Sequence, residues 1–214
     1  ELSYFICDFK DAFFMLPLLD AEREFFTTHY AGSFYIWRRV VQGSVNGPTV
    51  FGRLSALTGR MTQALLNPDE GRAQIYVDDP CTTLRGAEAR RKRLFALISL
   101  FWLVLGWSLS MRKAQHGSQV VWIGYGLKVD ATSVSAETKA ESVKEFRTLL
   151  RTTRRQRWNS LKSLRNVTGK ANHISNLLFS WRPFLTQLWG AASGEKASAP
   201  NSSVWIRQIE TTLS

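Results

Sequence analysis

Continuous or alternating apolar runs dominate the first part of this chain, and helical spacing dominates the rest. Residues 2–7 are almost wholly apolar and end on Asp8, the pattern of a buried strand. An aromatic-rich stretch over 11–16 is closed by Pro17. Residues 24–41 alternate around Ala31-Gly32-Ser33, which predicts a β-hairpin. Gln42-Gly43 follows. Pro48 then sits where a helix would start, residues 49–66 carry helical apolar spacing, and Asn67-Pro68-Asp69 stops them. Residues 74–77 and 81–84 predict a second hairpin with Asp78-Asp79 between its strands. A long helix is expected over 87–105, ended by Gly106. A strand is expected over 120–125, with 127–134 as its hairpin partner.

From residue 136 the period turns helical and stays so to about 189, with breaks near 154–158 and before Pro183. Residues 191–203 are small and polar and read as a linker, and 204–213 as the start of a further element. The expected fold class is α+β: an antiparallel sheet with packed helices over 1–135, an all-helical region over 136–190, and a linker with the start of another element over 191–214. There is no internal repeat.

Composition narrows the function classes. Hydrophobic residues make up 44% of the 214, enough for a sizeable core, so global disorder is excluded. The net charge of +11 points to a polyanionic partner, nucleic acid before anionic membrane. The longest apolar run, 94–109, is broken by Ser99, Gly106 and Ser108. It falls short of the roughly 20 residues that a span requires. It is read as a buried core helix, and no membrane partner is expected, although its basic flank (Arg90, Arg91, Lys92, Arg93) would also suit a membrane surface. Cys7 and Cys81 lack metal-ligand spacing and point to a reducing, intracellular setting, cytoplasm or nucleus. His29, His116 and His173 also lack such spacing and are assigned to structure or surface.

The chemistry gathers on acids. Asp78-Asp79 follows Ile75-Tyr76-Val77 and precedes Pro80, so both carboxylates sit at a hairpin tip. Such a pair is also what a solvated turn looks like. Adjacent acids repel, and a hard divalent cation is the usual compensation. Asp8 ends another apolar strand, and neighbouring strand ends in an antiparallel sheet would bring the acids together. Three carboxylates there suit two cations, one activating a hydroxyl and one neutralising a pyrophosphate.

Five segments then resemble, in order, the palm motifs of reverse transcriptases. They are Asp8-Phe9-Lys10-Asp11-Ala12-Phe13-Phe14, Gln42-Gly43-Ser44-Val45-Asn46-Gly47-Pro48, Tyr76-Val77-Asp78-Asp79, Gly106-Trp107 with Lys113-Ala114-Gln115, and Trp122-Ile123-Gly124-Tyr125. The resemblance covers residues 1–190 and is to retrotransposon- and retrovirus-type enzymes. It implies a right-hand polymerase palm followed by a thumb- or connection-like region, and RNA-directed DNA polymerisation. The partners it implies are an RNA or DNA template with its primer, deoxynucleoside triphosphates and the rest of a polyprotein.

The resemblance also assigns roles. Asp8 and Asp78, assisted by Asp79, would bind two Mg²⁺ or Mn²⁺ ions. Lys113 would donate a proton to pyrophosphate, although a solvated surface lysine fits as well. Asp11 and Ala12 would lie near the triphosphate, with structural capping an equal alternative for Asp11. Phe13 would exclude a 2′-hydroxyl, or simply belong to the core. Gln42, Gly43, Tyr76 and Val77 would line the nucleotide site, and Trp122, Ile123 and Gly124 would grip the primer. The basic helical part, from Lys139 to Lys170, would track phosphates or form a solvated charged face.

The chain also departs from the family. It opens on Glu1, without an initiator Met, almost at the first motif. It is therefore read as a piece of something longer, without the preceding fingers strands, and nothing after residue 190 resembles a complete RNase H domain. Weak or undetectable activity is expected of this piece alone. An inactive nucleic-acid-binding relic and an RNA-dependent RNA polymerase stand as alternatives, with Phe13 and Tyr76-Val77 favouring DNA synthesis.

Overall fold

The structure is a computed structural model that describes residues 1–193 and 203–209. The chain divides into two compact units, Glu1–Ser135 and Ala136–Ser214.

In the first unit, β1 (Leu2–Ile6) is followed by an exposed hairpin of β2 (Thr27–Tyr30) and β3 (Ser33–Ile36). Helix α1 (Gly47–Ala64) carries Pro48 in its first turn, where a missing N–H costs nothing. Strands β4 (Gly71–Tyr76) and β5 (Asp79–Arg85) form the second hairpin, and α2 (Glu88–Val104) follows. Strands β6 (Gln115–Gly117), β7 (Gln119–Trp122) and β8 (Tyr125–Val129) complete the unit, and β9 (Val134–Thr138) leads out of it.

The central sheet is antiparallel in the order β4-β5-β1-β6. Strand β1 lies between two partners and is buried on both faces, which is why it reads as a continuous apolar run. Its side chains alternate between two cores. Phe5, with Cys7 and Phe9 just beyond the strand, joins Phe51, Leu84, Leu94, Ile98, Trp102 and Trp107. Tyr4 and Ile6 join Cys81, Val120 and Val129.

Helix α1 buries Phe51, Ser55, Thr58 and Thr62, spaced by four, three and four residues. Three of these are polar. Thr62 satisfies Trp102 of α2, whose indole Nε1 donates to its Oγ1 at 2.8 Å in the interior. Helix α2 buries Arg91, Leu94, Ile98 and Trp102. Its opposite face leaves Leu97, Leu100, Leu103 and Val104 exposed. The expectation of a buried core helix therefore holds for one side only.

The third hairpin turns earlier than its pattern predicts. Trp122 pairs with Tyr125, so Ile123-Gly124 is the turn, and 120–125 is two strands rather than one. Strand β9 extends to residue 138, where helix was expected. Strand β6 was not anticipated, because three residues carry no period.

The second unit packs α3 (Ala140–Arg155), α4 (Leu161–Ser175) and α5 (Arg182–Ser193) around Phe146, Leu164, Val167, Ala171, Leu185 and Leu188. It is not all-helical. Strand β10 (Trp158–Ser160) pairs with β11 (Ser203–Trp205), which begins on the last residue of the expected linker and runs into the expected further element. Residues 191–193 belong to α5, and the rest of that expected linker, 194–202, lies outside the described residues, as do residues 210–213 of the further element. No described helix is long and apolar enough to cross a membrane.

Candidate functional site

Asp8 leaves β1 into a short segment held on both sides. On one side Cys7 N–H donates to Pro80 O and Phe9 N–H to Asp78 O at 3.0 Å. On the other, Lys10 N–H donates to Ser108 O, and Asp8 O accepts from Ser110 N–H at 2.9 Å. This ladder places Asp8 between the Asp78-Asp79 tip and the segment that leads to Lys113. Lys113 Nζ then reaches Asp8 Oδ2 at 2.9 Å.

Tyr76 pairs with Asp79, so Val77-Asp78 is a two-residue turn. Its first residue has φ +55°, the left-handed region that such turns ordinarily fill with glycine. A β-branched residue there is an outlier that costs about 1–3 kcal/mol. The turn at Ile123-Gly124 repeats the feature, with Ile123 at φ +43°. The two strained tips are joined, because Trp122 Nε1 donates to Asp79 O at 3.0 Å. Gln115 secures the second tip by two bonds to the Val121 backbone, at 2.9 and 2.8 Å.

The electrostatics fit a crowded acidic corner. Partial burial, then the nearby charges of Asp78 and Asp8, push the Asp79 carboxyl above its ordinary range, against the pull of Lys113. Lys113 is held above its ordinary value, first by its hydrogen bond to Asp8 and then by that charge. Among the described residues, no group of three or more His, Cys, Asp or Glu stands together as a metal site. The donors nevertheless suit a hard divalent cation: they are carboxylate oxygens whose mutual repulsion already disfavours one charge. In this conformation the Lys113 ammonium supplies the positive charge on Asp8.

The remaining expected residues fall around this corner. Asp11 caps a short 3₁₀ turn (Ala12–Met15) with φ +53°, but its carboxylate makes no capping bond, so the capping alternative fails. Ala12 is buried. Phe13 is only partly buried and stacks on Phe51, ring centroids 4.8 Å apart, so it belongs in part to the core. Gln42 and Gly43 lie in the loop before α1, Gln42 and its neighbour at the surface, with Gly43 at φ +94°. Tyr76 and Val77 are exposed at the first tip, and Ile123 and Gly124 are half-buried at the second.

One residue that was not expected from the sequence also meets this corner. Ser55 of α1 donates its hydroxyl to Val77 O at 2.6 Å. The available signal was a serine on the apolar stripe of that helix.

No protein-family model and no curated protein matches the sequence. Solved structures do match in fold. A foamy viral protease-reverse transcriptase in complex with an RNA/DNA hybrid has a TM-score of 0.62 at 16% identity, over 99% of this chain and 26% of that one. Another structure of the foamy viral protease-reverse transcriptase, with double-stranded DNA, gives 0.60 at 17%, over 99% and 34%. A further double-stranded DNA complex gives 0.56 at 17%, over 99% and 41%. The chain thus spans less than half of the length of each of these proteins. The likeness shows the fold: a mixed α+β arrangement resembling part of a retroviral reverse transcriptase.

Proposed function

We propose that this chain is the palm and thumb-like part of an RNA-directed DNA polymerase, in which a primer 3′-hydroxyl attacks a deoxynucleoside triphosphate and pyrophosphate leaves. The observation that carries this reading is the junction of Asp8, the Asp78-Asp79 tip and Lys113, on a fold similar to that of a viral reverse transcriptase. Asp8 and Asp78 would hold Mg²⁺ or Mn²⁺, with Asp79 assisting. Bound there, the ions would activate the primer hydroxyl and neutralise charge on the leaving pyrophosphate.

The chain's own residues do the rest. Lys113 exchanges its hold on Asp8 for the leaving group, to which it gives a proton. Phe13, fixed against Phe51, leaves no room for a 2′-hydroxyl. The Gln42-Gly43 loop borders the triphosphate beside Asp11 and Ala12, and Tyr76-Val77 forms the floor. The Trp122-Ile123-Gly124 backbone positions the primer end. In the helical unit, Arg147, Arg151, Arg154 and Arg155 lie on α3 and would meet phosphates without reading sequence.

One observation favours a second reading. Lys113 already neutralises Asp8, as a non-catalytic relic would allow. Primer extension by the full-length protein separates the two. Wild type should extend a primer in Mg²⁺, and Asp78→Asn should not. Incorporation in neither would favour the relic, and equal incorporation in both would remove Asp78 from the catalytic site.

A further inference from the structure

The three carbonyls of the Val77-Asp78-Asp79 tip are each held by a donor from a different part of the first unit. Ser55 Oγ from α1 donates to Val77 O at 2.6 Å. Phe9 N–H donates to Asp78 O at 3.0 Å. Trp122 Nε1, at the end of β7, donates to Asp79 O at 3.0 Å. The turn requires such a hold, because Val77 sits at φ +55°, a conformation that a β-branched residue does not keep unaided.

Two of the three donors are side chains, and both turn away from their own element. Elsewhere on α1, Thr62 bonds back to the carbonyl of Thr58 at 2.8 Å, the ordinary recourse of a helical hydroxyl. Ser55 is 2% exposed on that same face, yet it serves a residue outside its helix. Trp122 directly precedes Ile123-Gly124, the second tip. Any displacement of that tip therefore pulls on the carbonyl of Asp79.

We propose that Ser55 and Trp122 are positioning residues. They fix the backbone of the acidic tip so that Asp78 and Asp79 face a divalent cation in one orientation, and Trp122 couples that orientation to the second tip. This rests on the reading of Asp8, Asp78 and Asp79 as cation ligands. It goes beyond that reading by assigning the conformation of the ligands to two neutral donors. Backbone order at the tip and cation affinity then depend on a hydroxyl and an indole N–H that touch neither cation nor substrate. Outer groups of this kind change metal affinity by about 10- to 100-fold.

The test compares wild type with Ser55→Ala, Trp122→Phe and Asp78→Asn. Two readouts are used, neither of them activity: metal-free amide hydrogen exchange and Mn²⁺ binding by calorimetry. In Ser55→Ala and Trp122→Phe, exchange over residues 74–81 should accelerate by about tenfold while that of α2 stays unchanged. Their Mn²⁺ affinity should fall at least about tenfold. Asp78→Asn should lose Mn²⁺ binding and keep its tip protected.

Normal tip exchange and normal Mn²⁺ affinity in Ser55→Ala and Trp122→Phe, with binding lost in Asp78→Asn, would overturn the proposal and leave the metal reading standing. Uniformly faster exchange across the unit with unchanged Mn²⁺ affinity would also overturn it, because that is what a merely structural role produces. Equal Mn²⁺ binding in wild type and Asp78→Asn would instead remove the metal reading and, with it, the purpose assigned to the two donors.

Discussion

Asp79 is the residue on which burial and charge act together. The folded protein keeps its proton to a higher pH than the unfolded chain does, for which the ordinary value is 3.8. Between those two values the native state binds more protons, so this carboxyl lowers stability as pH rises through that window. Asp79→Asn should therefore raise the melting temperature at pH 7, and the gain should shrink toward pH 4. A variant that melts lower at neutral pH would show that the carboxylate is compensated in the fold. The adjacent acids beside Pro80 marked the hairpin in the sequence, but the turn falls one residue earlier than expected, on Val77-Asp78, and Asp79 opens β5. Ser55 was not legible, because its partner is a carbonyl 22 positions away, which no local pattern encodes.

At the scale of elements, the two hairpin tips carry β-branched residues where turns of this size favour glycine. Val77→Gly would relieve strain of about 1–3 kcal/mol and add backbone freedom to the unfolded chain worth about 0.5–1 kcal/mol. Chemical denaturation should show a net gain of about 1 kcal/mol. A loss of stability would mean that the Val77 side chain contributes more than its backbone costs. The hairpins at 27–36 and 71–85 were legible from alternation and turn residues. Strands β6, β10 and β11 were not, since each spans three residues and owes its pairing to a partner distant in sequence. The turn at Ile123-Gly124 was misplaced because isoleucine before glycine reads as strand, and only the tertiary fold forces it to a positive φ.

Across the whole molecule, the net charge of +11 argues for a polyanion whatever the chemistry of the acids. Within the helical unit, the exposed cations of α3 are separated from an apolar face that buries Phe146, so charge and core are both set by one helical period. If α3 tracks phosphates, replacing Arg147, Arg151 and Arg154 by Gln should weaken binding of any RNA/DNA duplex. The slope of log affinity against log salt should become shallower by about 1 for each phosphate that is no longer neutralised. An unchanged slope would leave those arginines as a solvated face.

The proposed role of Asp8, Asp78 and Asp79 as the cation-binding half of a nucleotidyl-transfer site makes incorporation depend on these carboxylates. That role is tested most directly by deoxynucleotide incorporation on an RNA template. The full-length protein should be compared as wild type, Asp8→Asn, Asp78→Asn and the exposed-acid control Asp69→Asn. Wild type and Asp69→Asn should incorporate, with a loss of about a hundredfold or more in Asp8→Asn and Asp78→Asn. Incorporation that is the same in all four proteins would contradict that role.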